Sequence, residues 1–176
     1  MNDRMPKKSP LWLDIALIHF SVRSAVAALL SYFVARAFTL PEAYWATITT
    51  LVVTQSAPGT CFSLAARRFL GTALGAVLAT LLACFGRSDI WTVAAGIFLL
   101  GLISCALGHV HEKAREHFDR TTYRFAGITL AISMLIVRAE PVWVAALHRF
   151  LEVSIGIVVA LALAVLWPDP WNDTPK

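Results

Sequence analysis

The fold of this chain is decided by the stretch RFLGTALG at residues 68–75, which returns 81 residues later as RFLEVSIG at residues 149–156. The two copies open the third and the sixth of six apolar runs in a chain of 176 residues. Because the copies are an odd number of runs apart, a membrane-crossing chain would present them in opposite orientations. The repeat therefore predicts two inverted halves of three helices each, a plan typical of membrane transporters.

The composition supports a membrane location. Hydrophobic residues make up 58% of the chain and charged residues only 15%, whereas a soluble domain is about 45–50% apolar and about 25% charged. The apolar runs do not alternate in polarity, and helices satisfy their own backbone groups in lipid. We predict an all-α polytopic membrane protein, with residues 1–176 forming a single domain of six transmembrane helices in a 3+3 inverted repeat.

The predicted spans are Ala16–Phe38, Tyr44–Ala57, Leu64–Phe85, Ile90–Gly108, Thr121–Val137 and Ala146–Trp167. A bilayer core needs about 20 helical residues, so the second and fifth spans are short. Apart from Arg23 within the first span, the lysines and arginines are biased ten to four toward the side that holds both termini. This bias predicts a bacterial inner-membrane protein with cytoplasmic N- and C-termini. The formal charge of +4 is then a topology signal, and we expect no nucleic-acid partner.

Arg23 is the first residue that suggests chemistry, because it lies roughly 10 Å into the first span. Arginines at such depth usually face a bundle interior or an aqueous cavity. The alternative is that Arg23 snorkels to the cytoplasmic headgroups. His19 lies one turn earlier on the same face.

Arg149 and Glu152 head the sixth span at a spacing that lets their side chains meet. They could form a gate that opens when a substrate anion competes for the arginine, with Glu152 as the coupling residue. The alternative is an interfacial ion pair that contributes little. Arg67 and Arg68 open the third span, where the simplest interpretation is positive-inside anchoring. Arg68 is nevertheless a candidate substrate residue.

The two short spans carry hydroxyls and aromatic rings, and short segments at matching positions point to a transporter's site. An offset of 79 residues pairs Tyr44 with Tyr123 and Thr50 with Thr129. We therefore take Tyr44, Trp45, Thr50 and Tyr123 as candidate substrate residues. Tyr44 and Trp45 could instead belong to the aromatic belt at the membrane surface.

Gly71, Gly75 and Gly156 are interpreted as helix-packing positions, because small residues let helices approach closely. The three cysteines have no disulfide or zinc-ligand spacing. His109, His111 and His117 are assigned to a solvated cytoplasmic connection. We predict no metal, no cofactor and no enzymatic activity.

Several of these motifs resemble one family. The stretch from Pro41 through Tyr44-Trp45-Ala46 resembles the fusaric acid resistance (FUSC-like) and aromatic acid exporter proteins. The third span resembles their arginine, Gly-Thr, glycine helix, and the sixth resembles its counterpart through Arg149, Glu152 and Gly156. The resemblance covers residues 20–167. It implies a six-helix module that exports aromatic or other organic anions.

The resemblance leaves several functional readings open. The larger exporters resemble two such modules with cytoplasmic domains, so homodimerisation would replace a missing half. The malate channels of plants look similar in the same region, which keeps a channel mechanism possible. A non-transporting membrane scaffold is a further alternative. Export could be driven by protons carried on Glu152 or by the membrane potential acting on the anion.

Overall fold

The computed structural model describes residues 10–54, 58–85, 89–110, 120–136 and 140–167. This part of the chain is all-helical, with six helices and no strand. In chain order they are α1 (Pro10–Ala37), α2 (Tyr44–Thr54), α3 (Pro58–Cys84), α4 (Ile90–Val110), α5 (Arg120–Leu135) and α6 (Val142–Leu166). The predicted all-α fold class is confirmed.

Two helices, α3 and α6, begin at or next to a proline and earlier than the predicted spans. Pro58 is the first residue of α3, six residues before the predicted start at Leu64, and Pro141 is the N-cap of α6. Proline suits a helix start because its missing N–H would have no partner there. In consequence Arg68 lies about 15 Å along α3 and Arg149 about 10 Å along α6. Neither arginine therefore lies in the first turn of its helix, whereas the predicted spans placed both near the start.

The other helix ends differ from the predicted spans by a few residues. α1 begins at Pro10, α4 runs to Val110 and α5 ends at Leu135, whereas residues 55–57 and 137 lie outside the described segments. α1 ends where the N–H of Leu40 donates to the carbonyl of Ala35 at 3.2 Å. Thr39, with a φ of 56°, occupies the left-handed position that follows many helices.

Three helices are long and apolar enough to cross a membrane: Leu17–Ala37, Thr60–Cys84 and Val142–Leu166. The segments Tyr44–Thr54 and Ile90–Ala106 are apolar but shorter. Length and composition thus support a membrane protein, and the count of six spans stays a prediction.

Helix packing repeats between the two halves of the chain. α3 packs most extensively on α5, and α6 packs in the same way on α2. In both halves the first helix packs on the second, α1 on α2 and α4 on α5. α3 and α6 also pack on each other, where the rings of Phe69 and Phe150 lie 5.0 Å apart. This is the contact pattern that a pseudo-two-fold axis between α3 and α6 produces.

Glycines set the two equivalent contacts. A Cβ added to Gly75 would lie 2.3 Å from the carbonyl oxygen of Ala126, and one added to Gly156 would lie 2.5 Å from that of Ala46. The helices therefore touch backbone to backbone, as small residues allow in membrane bundles. Thr129 flanks the first contact and Thr49 the second.

These contacts give the register of the repeat between α2 and α5. Ala46 corresponds to Ala126 and Thr49 to Thr129, an offset of 80 residues. The offset of 79, which paired Thr50 with Thr129, is therefore wrong by one residue. It matched identical residue types, whereas packing selects the positions that face the glycines.

Candidate functional site

Three arginines and one glutamate are buried inside the bundle, within the three long apolar segments. Arg23 is 6% exposed, Arg68 7%, Arg149 3% and Glu152 1%. Charged side chains in membrane helices are costly and usually mark functional pathways. Fully or almost fully buried hydroxyls accompany them; these belong to Thr49, Thr50, Thr72, Thr122, Thr129 and Ser133. A polar layer thus lies at the junction of α2, α3, α5 and α6.

Arg149 lies on an aromatic ring and beside two carboxylates. Its guanidinium carbon is 3.2 Å from the centre of the Trp45 ring. The indole N–H of Trp45 donates to Glu42 Oε2 at 2.9 Å, and the backbone N–H of Glu42 donates to Glu152 Oε1 at 2.9 Å. Both glutamates interact electrostatically with Arg149, so two carboxylates offset part of its charge within the protein.

Arg68 has neutral neighbours. Its Nη2 donates to the hydroxyl of Thr49 at 3.0 Å, and its guanidinium carbon lies 4.7 Å from the centre of the Phe125 ring. Its Nε is buried and makes no hydrogen bond to any residue that the structure describes. One N–H of a buried cation is therefore available to an acceptor.

The two arginines form a symmetric pair. Arg149 lies over Trp45 and Arg68 over Phe125, and the offsets of 81 and 80 residues relate these contacts through the pseudo-two-fold axis. Arg68 and Arg149 are also near enough to interact electrostatically. We call the five side chains of Arg68, Arg149, Thr49, Trp45 and Phe125 the paired-arginine site.

Arg23 lies apart from this pair, on the stripe of α1 that faces the bundle. Ala27, Ser31 and Ala35 continue the stripe at intervals of four residues, and all of them are buried. Arg23 interacts electrostatically with Cys61 of α3. Its Nε has no hydrogen-bond partner among the described residues. The buried position of Arg23 favours an interior role over snorkelling.

The remaining candidates from the sequence occupy different surroundings. Thr50 contributes its hydroxyl to packing, with the carbonyl oxygens of Ala46 at 2.9 Å and Gly156 at 3.0 Å. Tyr123 packs beside α4, 3.6 Å from the Cβ position of Gly101. Tyr44 is 48% exposed, although its ring lies 5.3 Å from that of Trp45. His109 has no described side chain, and His111 and His117 lie outside the described residues.

Sequence reasoning did not find Phe125 of this site or Glu42 beside it, and it placed Thr49 only among the hydroxyls of the second span. Phe125 could have been found, because an offset of 80 residues pairs it with Trp45. The contacts of Thr49 and Glu42 depend on how α2 rotates against α3 and α6, which no pattern in the sequence specifies.

The geometry suits the binding of an anion. A desolvated carboxylate needs fixed cationic or N–H partners, and the paired-arginine site supplies guanidinium N–H groups beside two aromatic faces. An open groove of about 460 Å³ between α3 and α6 does not supply them. Its lining residues are uncharged; they are Ala73, Ala76, Val77, Thr80, Leu81, Trp143, Ala146, Leu147 and Phe150.

Trp45 should stabilise the bundle through both its ring and its indole N–H. We expect Trp45→Phe to lower the free energy of unfolding by about 1–2 kcal/mol, because the bond to Glu42 is lost. Trp45→Leu should cost about 1–2 kcal/mol more, because the cation–π contact also disappears. Thermal unfolding in detergent micelles measures both changes. Trp143, which is 57% exposed, is the matched control, and an equal loss in Trp143→Phe would contradict this account.

Comparison with known proteins connects the chain to one family. The family model for fusaric acid resistance protein-like proteins matches residues 29–163. The chain is 30% identical over 166 residues to a protein named uncharacterized transporter YdhK from Escherichia coli strain K12, with 91% of this chain aligned. It is 27% identical over 159 residues to the protein of the same name from Salmonella typhimurium, with 88% of this chain aligned.

The aligned chain spans about a quarter of the length of these relatives, 24% and 23% respectively. No solved structure matches it. The match of residues 29–163 includes every residue of the paired-arginine site and also Glu42 and Glu152, whereas Arg23 precedes it.

Proposed function

The chain belongs to the fusaric acid resistance protein-like family, and from this premise we propose that it is a membrane transport module for small amphipathic organic anions. The proposed direction is outward, and the proposed substrates are aromatic or similar organic acids. The relatives carry the name of transporters, which supports transport as the general activity.

The observation that carries this proposal is the pair of buried guanidinium groups at the centre of the bundle. Arg68 and Arg149 are 7% and 3% exposed, and buried N–H groups on both have no hydrogen-bond partner in the described segments. An unsatisfied charged donor in a low-dielectric interior is costly. A binding anion would supply the missing acceptors and so reduce that cost.

The aromatic rings support an organic anion over a small hydrated one. Trp45 and Phe125 lie against the two arginines, so an apolar part of a substrate could contact a ring while its charged group meets a guanidinium. Tyr44, Thr50, Tyr123 and Arg23 remain proposed contributors to the path. Glu152 remains the proposed coupling or gating residue.

The cellular setting is also a proposal. We place the module in the bacterial inner membrane with both termini in the cytoplasm, which the ten-to-four bias of basic residues supports. We further propose that two copies form a homodimer, on the strength of the resemblance to the larger exporters. Export of an anion would be favoured by the membrane potential, by about 2.3 kcal/mol per charge per 100 mV.

The deciding experiment is flux of 4-hydroxybenzoate in proteoliposomes reconstituted with equal amounts of each protein. We expect flux well above that of empty liposomes, and a fall of about tenfold or more in Arg68→Gln, because charge-assisted bonds to the anion are lost. Arg67→Gln is the matched control, since it removes the same charge one residue away on the same helix. Arg23→Gln tests whether the path extends along α1.

Two results would contradict the proposal. Flux no greater than in empty liposomes, across aromatic and dicarboxylic acids, would favour the scaffold function. Equal losses in Arg67→Gln and Arg68→Gln would mean that the surface charge, and not the buried site, controls flux.

A further inference from the structure

The pseudo-two-fold symmetry between α3 and α6 fails at a position that bears on the charge of the bundle. Arg149 corresponds to Arg68, Phe150 to Phe69 and Gly156 to Gly75, but Glu152 corresponds to Gly71. Each member of this last pair lies one turn beyond its arginine, on the face that meets the other half. The sequence thus places a carboxylate beside one arginine and no side chain beside the other.

Packing fixes this difference in both halves. A Cβ added to Gly71 would lie 2.6 Å from the carbonyl oxygen of Thr122, so no side chain fits there without moving α5. Glu152 has room instead, and its Oε1 accepts the backbone N–H of Glu42 at 2.9 Å. The carboxylate is therefore held in place next to Arg149.

Arg68 has no acidic residue on its own helix α3, nor on α5 or α2, from which Phe125 and Thr49 contact it. The sequence has no aspartate or glutamate within Pro58–Cys84 or Arg120–Leu135. From α2, Arg68 is met by the hydroxyl of Thr49, and Tyr44–Thr54 is also free of acidic residues. Within the described segments Arg68 contacts neutral groups, so a bound anion would be its counter-charge.

We propose that Glu152 is a built-in counter-anion for Arg149, and that Arg68 is the single anion-binding arginine of each module. This inference rests on the proposed function and narrows it to one side of the paired-arginine site. Each chain then binds one monovalent anion, between Arg68, the Thr49 hydroxyl and the Phe125 ring. The hydroxyl of Thr49 accepts a bond from Arg68 and keeps its own proton to donate.

The same contacts indicate what kind of ligand fits. A planar monoanion such as a carboxylate could accept the Nε–H of Arg68 with one oxygen and the Thr49 hydroxyl with the other. Its apolar body would lie toward Phe125. A dianion would bring a second charge into a buried site where Arg68 is the only cation proposed to bind it. Monoanions should therefore bind more tightly than dianions of similar size.

Calorimetric titration of benzoate into the purified full-length chain in detergent micelles, at constant ionic strength, tests this assignment. We expect one benzoate per chain in the wild type and in Arg67→Gln. Arg68→Gln should weaken binding by about 10- to 100-fold, because a hydrogen bond to a charged partner is lost. The double variant Arg149→Gln/Glu152→Gln removes both internal charges without changing the net charge, and we expect it to weaken binding less than Arg68→Gln does.

Single variants of Glu152 separate a counter-anion from a structural residue. Glu152→Gln can still accept the N–H of Glu42 but no longer neutralises Arg149, so we expect tighter binding or a second benzoate per chain. Glu152→Asp keeps the charge and should keep the ratio at one. A purely structural Glu152 would not change the stoichiometry.

The inference is overturned if Arg149→Gln/Glu152→Gln loses binding while Arg68→Gln retains it, or if Glu152→Gln abolishes binding in folded protein. These outcomes are independent of the flux result. Benzoate binding at Arg68 without any flux would overturn the proposed function and leave this assignment standing. Flux in a protein whose benzoate binding depends on Arg149 would support the proposed function and overturn the assignment of Arg68. A wild-type chain that neither binds nor transports would overturn both proposals.

Discussion

Replacing Gly156 with alanine should separate α2 from α6 and destabilise the bundle severely. The added methyl group would lie 2.5 Å from the carbonyl oxygen of Ala46 and 2.7 Å from Cβ of Thr49, and backbone atoms cannot move aside as a flexible side chain can. Gly75→Ala should act equally in the other half, where the carbonyl oxygen of Ala126 would lie at 2.3 Å. We expect each variant to lose about 3 kcal/mol or more of unfolding free energy, the upper range for overpacking.

Gly127 provides the matched control for these glycines, because the same single methyl group is added there without a clash. Its nearest neighbour would be Cγ1 of Ile97 at 4.0 Å. Alanine is the better helix former by up to about 1 kcal/mol, so Gly127→Ala should be neutral or slightly stabilising. Thermal unfolding in micelles, followed by size-exclusion chromatography, measures all three variants. Similar midpoints for Gly127→Ala and Gly156→Ala would refute the close backbone contact.

Removing Arg149 should be nearly as damaging as the glycine substitutions, for an electrostatic reason. Arg149→Gln leaves Glu152, which is 1% exposed, as a buried charge without its cation. Removing the cation that offsets a buried carboxylate costs about 3–5 kcal/mol. The double variant Arg149→Gln/Glu152→Gln should recover most of that loss, because no uncompensated charge remains. The measurement is a double-mutant cycle of unfolding free energies in micelles.

Arg68→Gln is expected to shift stability in the opposite direction. Arg68 is buried to a similar degree but has neutral neighbours in Thr49 and Phe125, so its removal relieves an uncompensated charge. Stability should be unchanged or should rise by about 1 kcal/mol, as happens when a site strained for function is relaxed. A loss in Arg68→Gln as large as that in Arg149→Gln would show that both arginines are structural ion-pair partners.

Much of the architecture could be predicted from the sequence because membrane helices are long runs of apolar residues. The six apolar runs gave six helices, and the repeated glycines gave two of the close contacts. Arg68, Arg149 and Glu152 could be singled out because charges are so rare in such runs. The helix starts at Pro58 and Val142 were missed, since proline was read as a break where it begins a helix.

The details of the site could not be predicted in the same way. Trp45 and Phe125 occupy equivalent positions in the two halves, but they are different aromatic residues. We paired Tyr44 with Tyr123 instead because these two residues are identical. Glu42 is held in place because its backbone N–H donates to Glu152. Every residue except proline has such an N–H, so the sequence does not show which one makes this bond. Side-chain neighbours across helices follow from rotation and register, and these are set by packing of the whole bundle.

The glycine contacts also determine which parts of the module can move. α2 is joined backbone to backbone with α6, and α3 with α5, so each tight pair takes one helix from each half of the repeat. Rocking of one half against the other as a rigid body would have to separate both of these backbone contacts. In the proposed transport function, exposing the centre of the bundle to alternate sides of the membrane would then require a different motion. The pair α2–α6 would have to slide along the pair α3–α5, across the contact between the rings of Phe69 and Phe150.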